Sequence, residues 1–185
     1  MSAFCLVLLV AAQPTTATRP RTVLLVSHAE KPPDGDPSGG LSAAGVKRAE
    51  ALPALFRKTA GRPDPFPTPD VVFAAKNTDH SHRSVRTVKP LAASLGLKLR
   101  SDVVNDDYPK LVEELAGPTY AGKVVLVCWH HGNLPALARA LGAAGVPNKW
   151  KDEVFDRVWQ LDFAADGSVT RRDRPQRLLP GDADE

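Results

Sequence analysis

The stretch VLLVSHAEKP, residues 23–32, is a short apolar run that ends on a polar cluster containing His28. A run of Val and Leu without strict polar alternation is typical of a strand that is buried on both faces of a parallel sheet. We therefore predict a strand over Thr22–Ser27. We expect this strand to present His28 just beyond its carboxyl end.

A second stretch of the same kind is KVVLVCWHHGN, residues 123–133. It predicts a strand over Lys123–Trp129, which is followed directly by His130 and His131. In parallel α/β sheets, ligands bind beyond the carboxyl ends of the strands. Two separate strands are therefore expected to bring histidines to the same rim of the sheet.

The rest of the chain alternates between strand and helix patterns, with proline-rich and glycine-rich loops at 31–40, 61–70 and 143–154. Further strands are predicted at Val71–Ala74, Leu97–Arg100, Val158–Phe163 and Val169–Arg171, and helices at Ser42–Lys58 (with a kink at Pro53), Ser84–Leu95, Tyr108–Leu115 and Leu134–Leu141. This alternation predicts an α/β fold, a three-layer sandwich with a mainly parallel central sheet. The polar patch KNTDHSHRS, residues 76–84, follows the Val71–Ala74 strand and brings Arg83 to the same rim.

Composition favours one soluble-type domain with a substantial core. The chain has 185 residues, of which 43% are hydrophobic. Its net charge of +3 comes from scattered basic residues, so we predict no nucleic-acid partner. The two cysteines, Cys5 and Cys128, form neither a disulfide framework nor a CxxC metal motif, and Cys128 is expected to be a small buried hydrophobe.

The N-terminus carries a short apolar run, AFCLVLLVAA at residues 3–12, that is too short to span a bilayer as a helix. We interpret residues 1–20 as a signal peptide or a disordered N-terminus, although the n-region lacks Lys and Arg. The predicted location is periplasmic or extracellular, without stable membrane insertion after processing; it is cytoplasmic if the segment is not a functional signal. The folded domain is predicted at 21–172 and a flexible tail at 173–185.

Four motifs in order make the chain similar to the histidine phosphatase superfamily, the phosphoglycerate-mutase-like enzymes. They are SHAEKP (residues 27–32), LSAAGVKRAEAL (41–52), RSVRTVKPLA (83–92) and VLVCWHHGN (125–133). The resemblance extends from about Thr22 to Leu141. It implies the phosphoglycerate-mutase-like version of the predicted sandwich.

The resemblance also implies an activity, that of a metal-independent phosphatase with no cofactor. Matched residue by residue, it makes His28 the nucleophile, Arg83 a phosphate clamp and His131 a second histidine of the pocket. The general acid of the family lies in a variable region that here contains Asp106 and Asp107; Asp107 is our first candidate and Asp106 the alternative.

The chemistry of these residue types fits phosphoryl transfer. A neutral imidazole is a good nucleophile at pH 7, and its phosphoryl adduct is labile to water. An arginine fork and histidine N–H groups hold the charged oxygens, and a carboxylic acid protonates the leaving alkoxide.

One position departs from the family motif, because Ser27 stands where the family has an arginine before the nucleophile. Lys31, His80 and His82 are candidates to compensate for the lost cation. Glu30 is either a carboxylate that orients a cation of the pocket or an exposed loop residue. The residues predicted to line the substrate site are Ser27, Glu30, Lys31, His82 and His130.

The predicted function is phosphomonoester hydrolysis through a phosphohistidine on His28, with a small phosphorylated substrate or a phosphoprotein. The alternative is a weak or inactive relative that binds a phosphorylated ligand or partner, and Ser27 is its main support. A metal-dependent hydrolase using His80, His82, His130 and His131 is disfavoured, because no carboxylate set is spaced to complete the site. A mutase is also disfavoured, because the sequence contains no sign of a bisphosphate pocket.

Overall fold

A six-stranded sheet forms the middle layer of the protein. The structure is a computed structural model that describes residues 18–33 and 36–184. The strands are β1 (Thr22–Ser27), β2 (Val71–Ala74), β3 (Leu99–Arg100), β4 (Val124–Trp129), β5 (Arg157–Phe163) and β6 (Val169–Pro175), and their spatial order is β3-β2-β4-β1-β5-β6. Strands β3, β2, β4 and β1 run parallel to one another, whereas β5 runs antiparallel to β1 and β6 runs antiparallel to β5. The predicted mainly parallel sheet is confirmed.

In the described part of the chain, four α-helices cover the sheet: α1 (Ala43–Ala51), α2 (Arg83–Ser94), α3 (Tyr108–Leu115) and α4 (Leu134–Ala140). Side chains of β1 alternate between two apolar clusters, one on each face. Leu24 and Val26 pack in the cluster that contains Leu91 of α2. Val23 and Leu25 belong to the opposite cluster, which contains residues of α3 and α4. Because both faces of β1 are buried, its sequence lacks polar alternation.

The first helix begins as predicted and ends earlier. Ser42 caps it, because its Oγ accepts a hydrogen bond from the N–H of Gly45 at 3.1 Å. The prediction of one kinked helix to Lys58 is wrong: α1 ends at Ala51 and a 3-10 turn follows over Leu52–Phe56. Pro53 lies in the first turn of this new segment, where its missing N–H leaves no hydrogen bond unmade.

Gly45 allows α1 to begin very close to the chain that follows His28. A Cβ atom added at Gly45 would lie 2.3 Å from the carbonyl oxygen of Glu30. That oxygen accepts a hydrogen bond from the N–H of Ser42 at 2.9 Å. Only glycine fits at this approach, which explains the glycine of the LSAAGVKRAEAL motif.

The C-terminal boundary differs from the prediction. Strand β6 continues to Pro175, so the predicted domain end at residue 172 falls inside this strand. Residues 176–184, which we call the C-terminal strap, pack against the domain through Asp182. The predicted signal segment falls largely on residues 1–17, outside the described part of the chain. No helix among residues 18–33 and 36–184 is long and apolar enough to cross a membrane.

Candidate active site

The register of the two central strands brings the histidines together. Ser27 at the end of β1 pairs with Trp129 at the end of β4. The N–H of His28 donates to the carbonyl oxygen of Trp129 at 3.2 Å, so His28 leaves the sheet beside His130. The shared rim that the sequence predicted is therefore present.

The three histidine rings form a compact group. The rings of His28 and His131 are stacked, with centroids 4.7 Å apart and an interplanar angle of 14°. The ring of His130 stands almost perpendicular to that of His28, at 89° and 5.8 Å. His28 and His131 are 6% and 7% exposed, so both rings are largely withdrawn from solvent.

A hydrogen bond sets the tautomer of His28. Its Nδ1 lies 2.8 Å from the carbonyl oxygen of Ala29, and because a carbonyl only accepts, Nδ1 carries the proton. The lone pair of Nε2 is then available for attack. Burial lowers the pKa of His28 to about 3, the Ala29 hydrogen bond opposes this shift, and the nearby charges of His131, Arg83 and His130 reinforce it. The ring of His28 is therefore neutral at pH 5–8.

Two buried nitrogens at this site have no hydrogen-bond partner: Nε2 of His131 and Nε of Arg83. Arg83 begins α2 and exerts an electrostatic effect on His28, His130 and His131. Buried polar atoms without partners are uncommon in proteins and indicate strain or a ligand. An anion with several oxygens would satisfy Nε of Arg83, and it would satisfy Nε2 of His131 in the tautomer that carries the proton on that nitrogen.

Burial also lowers the pKa of His131 to about 4. The carboxylate of Asp152 opposes this shift, whereas the charges of His130, Lys31 and Arg83 strengthen it. In His130, burial and the charge of Arg83 lower the pKa, and Asp106 opposes them. Two carboxylates therefore lie near the histidines: Asp106, which precedes β4 in the sequence, and Asp152, which follows it.

Thr87 connects Ala29, the residue after His28, to Arg83. Its Oγ1 accepts a hydrogen bond from the N–H of Ala29 at 2.9 Å. The same hydroxyl donates to the carbonyl oxygen of Arg83, one turn earlier in α2, at 2.8 Å. The Arg-x-x-x-Thr motif thus fixes the start of α2 against the residue that follows His28.

The two candidate acids occupy different environments. Oδ1 of Asp106 accepts from Nδ2 of Asn133 at 2.9 Å and from Nδ2 of Asn105 at 2.8 Å, and its charge acts on His130. Asp107 is the residue before α3 and makes no side-chain capping hydrogen bond. The structure therefore brings Asp106, our alternative at the sequence level, to the histidine group.

The segment 150–155 forms an aromatic wall over the histidines. The ring of Phe155 lies 5.2 Å from that of His131 and 6.1 Å from that of His28. The indole of Trp150 stacks on His131 at 6.3 Å, and its Nε1 donates to the carbonyl oxygen of Val154 at 2.8 Å. Ser27 is 1% exposed, and its Oγ donates to the same carbonyl at 3.4 Å. The side chain of Ser27, at the position where the family motif has an arginine, is therefore directed toward the segment 150–155.

Glu30 and Lys31 have different surroundings. Glu30 is bound by the guanidinium of Arg48, at 2.7 Å between Oε1 and Nη2. Lys31 is exposed, and its positive charge contributes to the lowered pKa of His131. Both residues border an open groove of about 510 Å³, which is lined by Glu30, Lys31, Pro32, Pro33, Asp152, Glu153 and Phe155. The groove adjoins the histidine group through Phe155.

The histidines of the KNTDHSHRS patch lie outside the group. His80 is exposed in the turn between Thr78 and Ser81. His82 precedes α2, and its N–H donates to the carbonyl oxygen of Gly39 at 2.8 Å. Among the described residues, no group of three or more His, Cys, Asp or Glu side chains could hold a metal ion.

Sequence reasoning missed several residues of the site: Thr87, Asn133, Asp152 and Phe155. Thr87 stands in a quoted motif and Asn133 follows the His-Gly pair, so both had a sequence signal. Asp152 and Phe155 lie in a loop without a motif, and only the tertiary structure places them at the histidines.

Comparison with solved structures identifies the fold. The chain is similar to the protein histidine phosphatase SixA in complex with tungstate, with 14% identity, a TM-score of 0.57, and coverage of 84% of this chain and 97% of that chain. It is similar to a mycobacterial glucosyl-3-phosphoglycerate phosphatase, with 15% identity, a TM-score of 0.53, and coverage of 84% and 97%. It is also similar to phosphoglycerate mutase from Plasmodium falciparum, with 16% identity, a TM-score of 0.53, and coverage of 89% and 96%.

Neither protein-family models nor curated proteins match the sequence. At these identities the structural likeness establishes the fold. The protein has a phosphoglycerate-mutase-like fold, and the predicted fold class is confirmed.

Proposed function

We propose that this protein is a phosphatase that hydrolyses a phosphomonoester through a phosphohistidine on His28. One observation carries the proposal. The buried, neutral ring of His28 has its proton held on Nδ1 and lies beside two buried, unpartnered nitrogens, Nε of Arg83 and Nε2 of His131. A phosphoryl group carries charge on three oxygens and needs such fixed donors during transfer.

In the first step, the Nε2 lone pair of His28 attacks phosphorus and the bond from phosphorus to the leaving oxygen breaks. The carbonyl oxygen of Ala29 faces the Nδ1 proton and stabilises the positive charge that develops on the ring. Asp106, in its acid form, transfers its proton to the leaving alkoxide. The products of this step are the free alcohol, the Asp106 carboxylate and phosphorylated His28.

In the second step, water attacks the phosphoryl group opposite the phosphorus–nitrogen bond. The carboxylate of Asp106 takes a proton from that water, and the electron pair of the broken bond returns to Nε2 of His28. Inorganic phosphate leaves and both residues regain their starting forms. The placement of Asp106 beside His130 and Asn133 supports this role over Asp107.

The groove beside Phe155 supports a small substrate. Its volume of about 510 Å³ lies within the range of small-molecule sites. It contains two carboxylates, Asp152 and Glu153, and one ammonium group, Lys31, besides Glu30, which is paired with Arg48. A leaving group bearing hydroxyl or amino groups suits this lining better than a carboxylated one.

Ser27 favours a second candidate, a binding protein with little turnover. The substitution removes one guanidinium from the site, and a charge-assisted hydrogen bond contributes about 1.5–3 kcal/mol. The effect of the Lys31 charge on His131 supports Lys31 as a partial replacement. Both candidates predict anion binding, and only the phosphatase predicts turnover.

The test combines turnover with binding. p-Nitrophenyl phosphate hydrolysis is measured between pH 4 and 8 in excess chelator, and tungstate affinity is measured by calorimetry. We expect wild type to turn over and His28→Ala to lose at least a thousandfold in kcat, roughly as for other nucleophile deletions. His80→Ala is the matched control, because His80 is exposed and outside the site.

Labelling separates the remaining outcomes. Brief reaction with radiolabelled substrate should leave an acid-labile, base-stable label on wild type and none on His28→Ala. Tungstate binding without turnover would favour the binding protein. Turnover that survives in His28→Ala would refute the phosphohistidine mechanism.

Export through residues 1–20 is a further part of the proposal, supported by the apolar run at residues 3–12. It predicts a mature N-terminus near residue 20. N-terminal sequencing of the protein from the periplasm or medium checks it, and an intact Met1 in purely cytoplasmic protein would contradict it.

A further inference from the structure

We infer that the C-terminal strap positions both walls of the active site through one buried arginine, Arg48. The inference rests on the proposed function, because the positioned groups are those that carry it. Arg48 touches none of the histidines; it is a positioning residue. Its partners come from three distant parts of the chain: Glu30, Gln176 and Asp182.

The first wall is the chain that follows His28. The guanidinium of Arg48 donates hydrogen bonds to both carboxylate oxygens of Glu30, from Nε at 3.0 and 3.1 Å and from Nη2 at 2.7 Å. Glu30 lies two residues after the proposed nucleophile, His28. These bonds therefore restrain the backbone at Ala29, whose carbonyl oxygen accepts the hydrogen bond from Nδ1 of His28. The Glu30 side chain therefore acts on the pocket through its position, although its sequence location made it a candidate for substrate binding.

Asp182 of the strap holds the other side of the same guanidinium. Nη2 donates to Oδ1 of Asp182 at 2.7 Å, and Nη1 donates to Oδ2 at 2.9 Å. Oδ2 also accepts from the N–H groups of Leu178 and Leu179, so one carboxylate closes the turn of the strap and binds Arg48. The side chains of Arg48 and Asp182 are each 5% exposed, so solvent screens this pair little.

The second wall is the segment that contains Phe155. Gln176, which is 1% exposed, donates from Nε2 to the carbonyl oxygens of Phe155 at 3.1 Å and Arg157 at 3.2 Å. Its Oε1 accepts from Nη1 of Arg48 at 3.3 Å. The strap is fixed to Asp156 as well, because the N–H of Ala183 donates to Oδ2 of Asp156 at 2.7 Å. The segment carrying the Phe155 ring is thus restrained by the same network that restrains Glu30.

The network accounts for the electrostatics of its members. Burial by itself would lower the pKa of Arg48, but its hydrogen bonds to Asp182 and Glu30 raise that pKa overall. Burial by itself would raise the pKa of Asp182, but the bonds from Arg48 and the strap N–H groups lower it. Arg48 and Asp182 are therefore both charged at pH 5–8, and neutralising Asp182 releases the strap end of the network.

The test compares Asp182→Asn with Asp184→Asn, an exposed neighbour in the same strap. We expect Asp182→Asn to lower kcat for p-nitrophenyl phosphate by roughly ten- to a hundredfold, as expected for a displaced nucleophile, with little change in KM. Asp182→Glu, which keeps the charge, should recover part of kcat. Asp184→Asn should behave as wild type.

Nuclear magnetic resonance of the histidine rings makes the test independent of turnover. Asp182→Asn should shift the Nδ1 and Nε2 signals of His28, and Asp184→Asn should not. If wild type proves inactive, the proposed function fails, and these signals still decide whether the strap positions the site. If Asp182→Asn only lowers the melting temperature, with kcat, KM and the His28 signals of wild type at 20 °C, the inference is overturned. If Asp182→Asn does not fold, Asp182→Glu carries the same comparison, with a smaller shift expected.

Discussion

Two arginines, Arg48 and Arg83, lie near the chain that follows His28: Arg48 binds Glu30, and Arg83 is connected to Ala29 through Thr87. Arg48 is almost fully buried, and its guanidinium is bound by two carboxylates and an amide oxygen. Arg83 is half-buried, its Nε has no partner, and the groups on which its charge acts are neutral histidines. A buried charge that is paired with opposite charges indicates a structural role, whereas a buried charged group without a partner indicates an anion-binding site.

The largest expected effect on stability belongs to Arg48. Replacing it in Arg48→Met leaves the carboxylates of Glu30 and Asp182 without their cation. Breaking a buried ion pair from one side costs about 3–5 kcal/mol, so we expect a loss of this size in the free energy of unfolding. Urea denaturation at pH 7 measures it. A loss below about 1 kcal/mol, the value of a surface pair, would show that the cluster is not structural.

The comparison extends to the carboxylates. Asp182 is paired with Arg48, whereas Asp106 has amide partners and faces His130. As the proposed acid, Asp106→Asn should lower kcat roughly a hundredfold for substrates with poor leaving groups, and much less for p-nitrophenyl phosphate. Asp107→Asn, one residue away, is the matched control. Equal effects of both variants, or a larger effect of Asp107→Asn, would restore Asp107 as the acid.

Arg83→Met should separate binding from stability. Loss of one charge-assisted contact weakens anion binding by about 1.5–3 kcal/mol, so tungstate affinity should fall roughly ten- to a hundredfold. The free energy of unfolding should stay unchanged or rise, because Nε of Arg83 is already unpartnered. Calorimetry and urea denaturation measure the two quantities. A variant that is destabilised like Arg48→Met would remove the distinction between the two arginines.

A further prediction concerns the pH dependence of stability. Unfolded histidines take up protons near pH 6.5, whereas folded His28 and His131 do so only near pH 3 and 4. The unfolded chain therefore binds more protons below pH 6.5, and stability falls as pH is lowered from 6.5 to 4.5. Each histidine contributes up to about 1.4 kcal/mol per pH unit.

Variants test whether His28 and His131 cause this change in the free energy of unfolding with pH. Urea denaturation at pH 7 and 5 should show a smaller loss in the double variant His28→Gln, His131→Gln than in wild type. The control His80→Gln, at an exposed site, should keep the wild-type slope. The ion pair of Asp182 contributes separately, because its lowered pKa places the loss of that pair below pH 4. An unchanged slope in the double variant would contradict the buried, neutral state of the pair.

Local sequence patterns predicted the strands well, and they predicted where the histidines meet. Thr22–Ser27 and Val71–Ala74 were predicted with their observed bounds. Runs of Val and Leu that are apolar on both faces have few alternatives to a central parallel strand. The sequence predicted that His28 and His130 lie at the same rim, because each follows the carboxyl end of a parallel strand. The observed register of β1 and β4 explains why the two residues leave the sheet side by side.

Other features exceeded what a local pattern can specify. Asp106 and Asp107 lie in a three-residue 3-10 turn, where neighbouring side chains point in different directions, and one residue changes which carboxylate meets His130. The tail was predicted to be flexible because its composition is charged and polar. Its Asp182 instead meets Arg48, which is 134 residues away in the chain.

The sequence by itself determined the layers, the order of the motifs and the histidines at the sheet rim, because strand burial and helix periodicity are local properties that the side chains report directly. Only the tertiary structure decided which charges are compensated. Within residues 18–33 and 36–184, two carboxylates bind Arg48 whereas Nε of Arg83 has no partner, and this difference depends on loops and a strap that approach from distant parts of the chain. Electrostatic interactions act through space over a few ångströms, whatever the separation along the sequence, and so the distinction between a structural and a functional arginine appears only after folding.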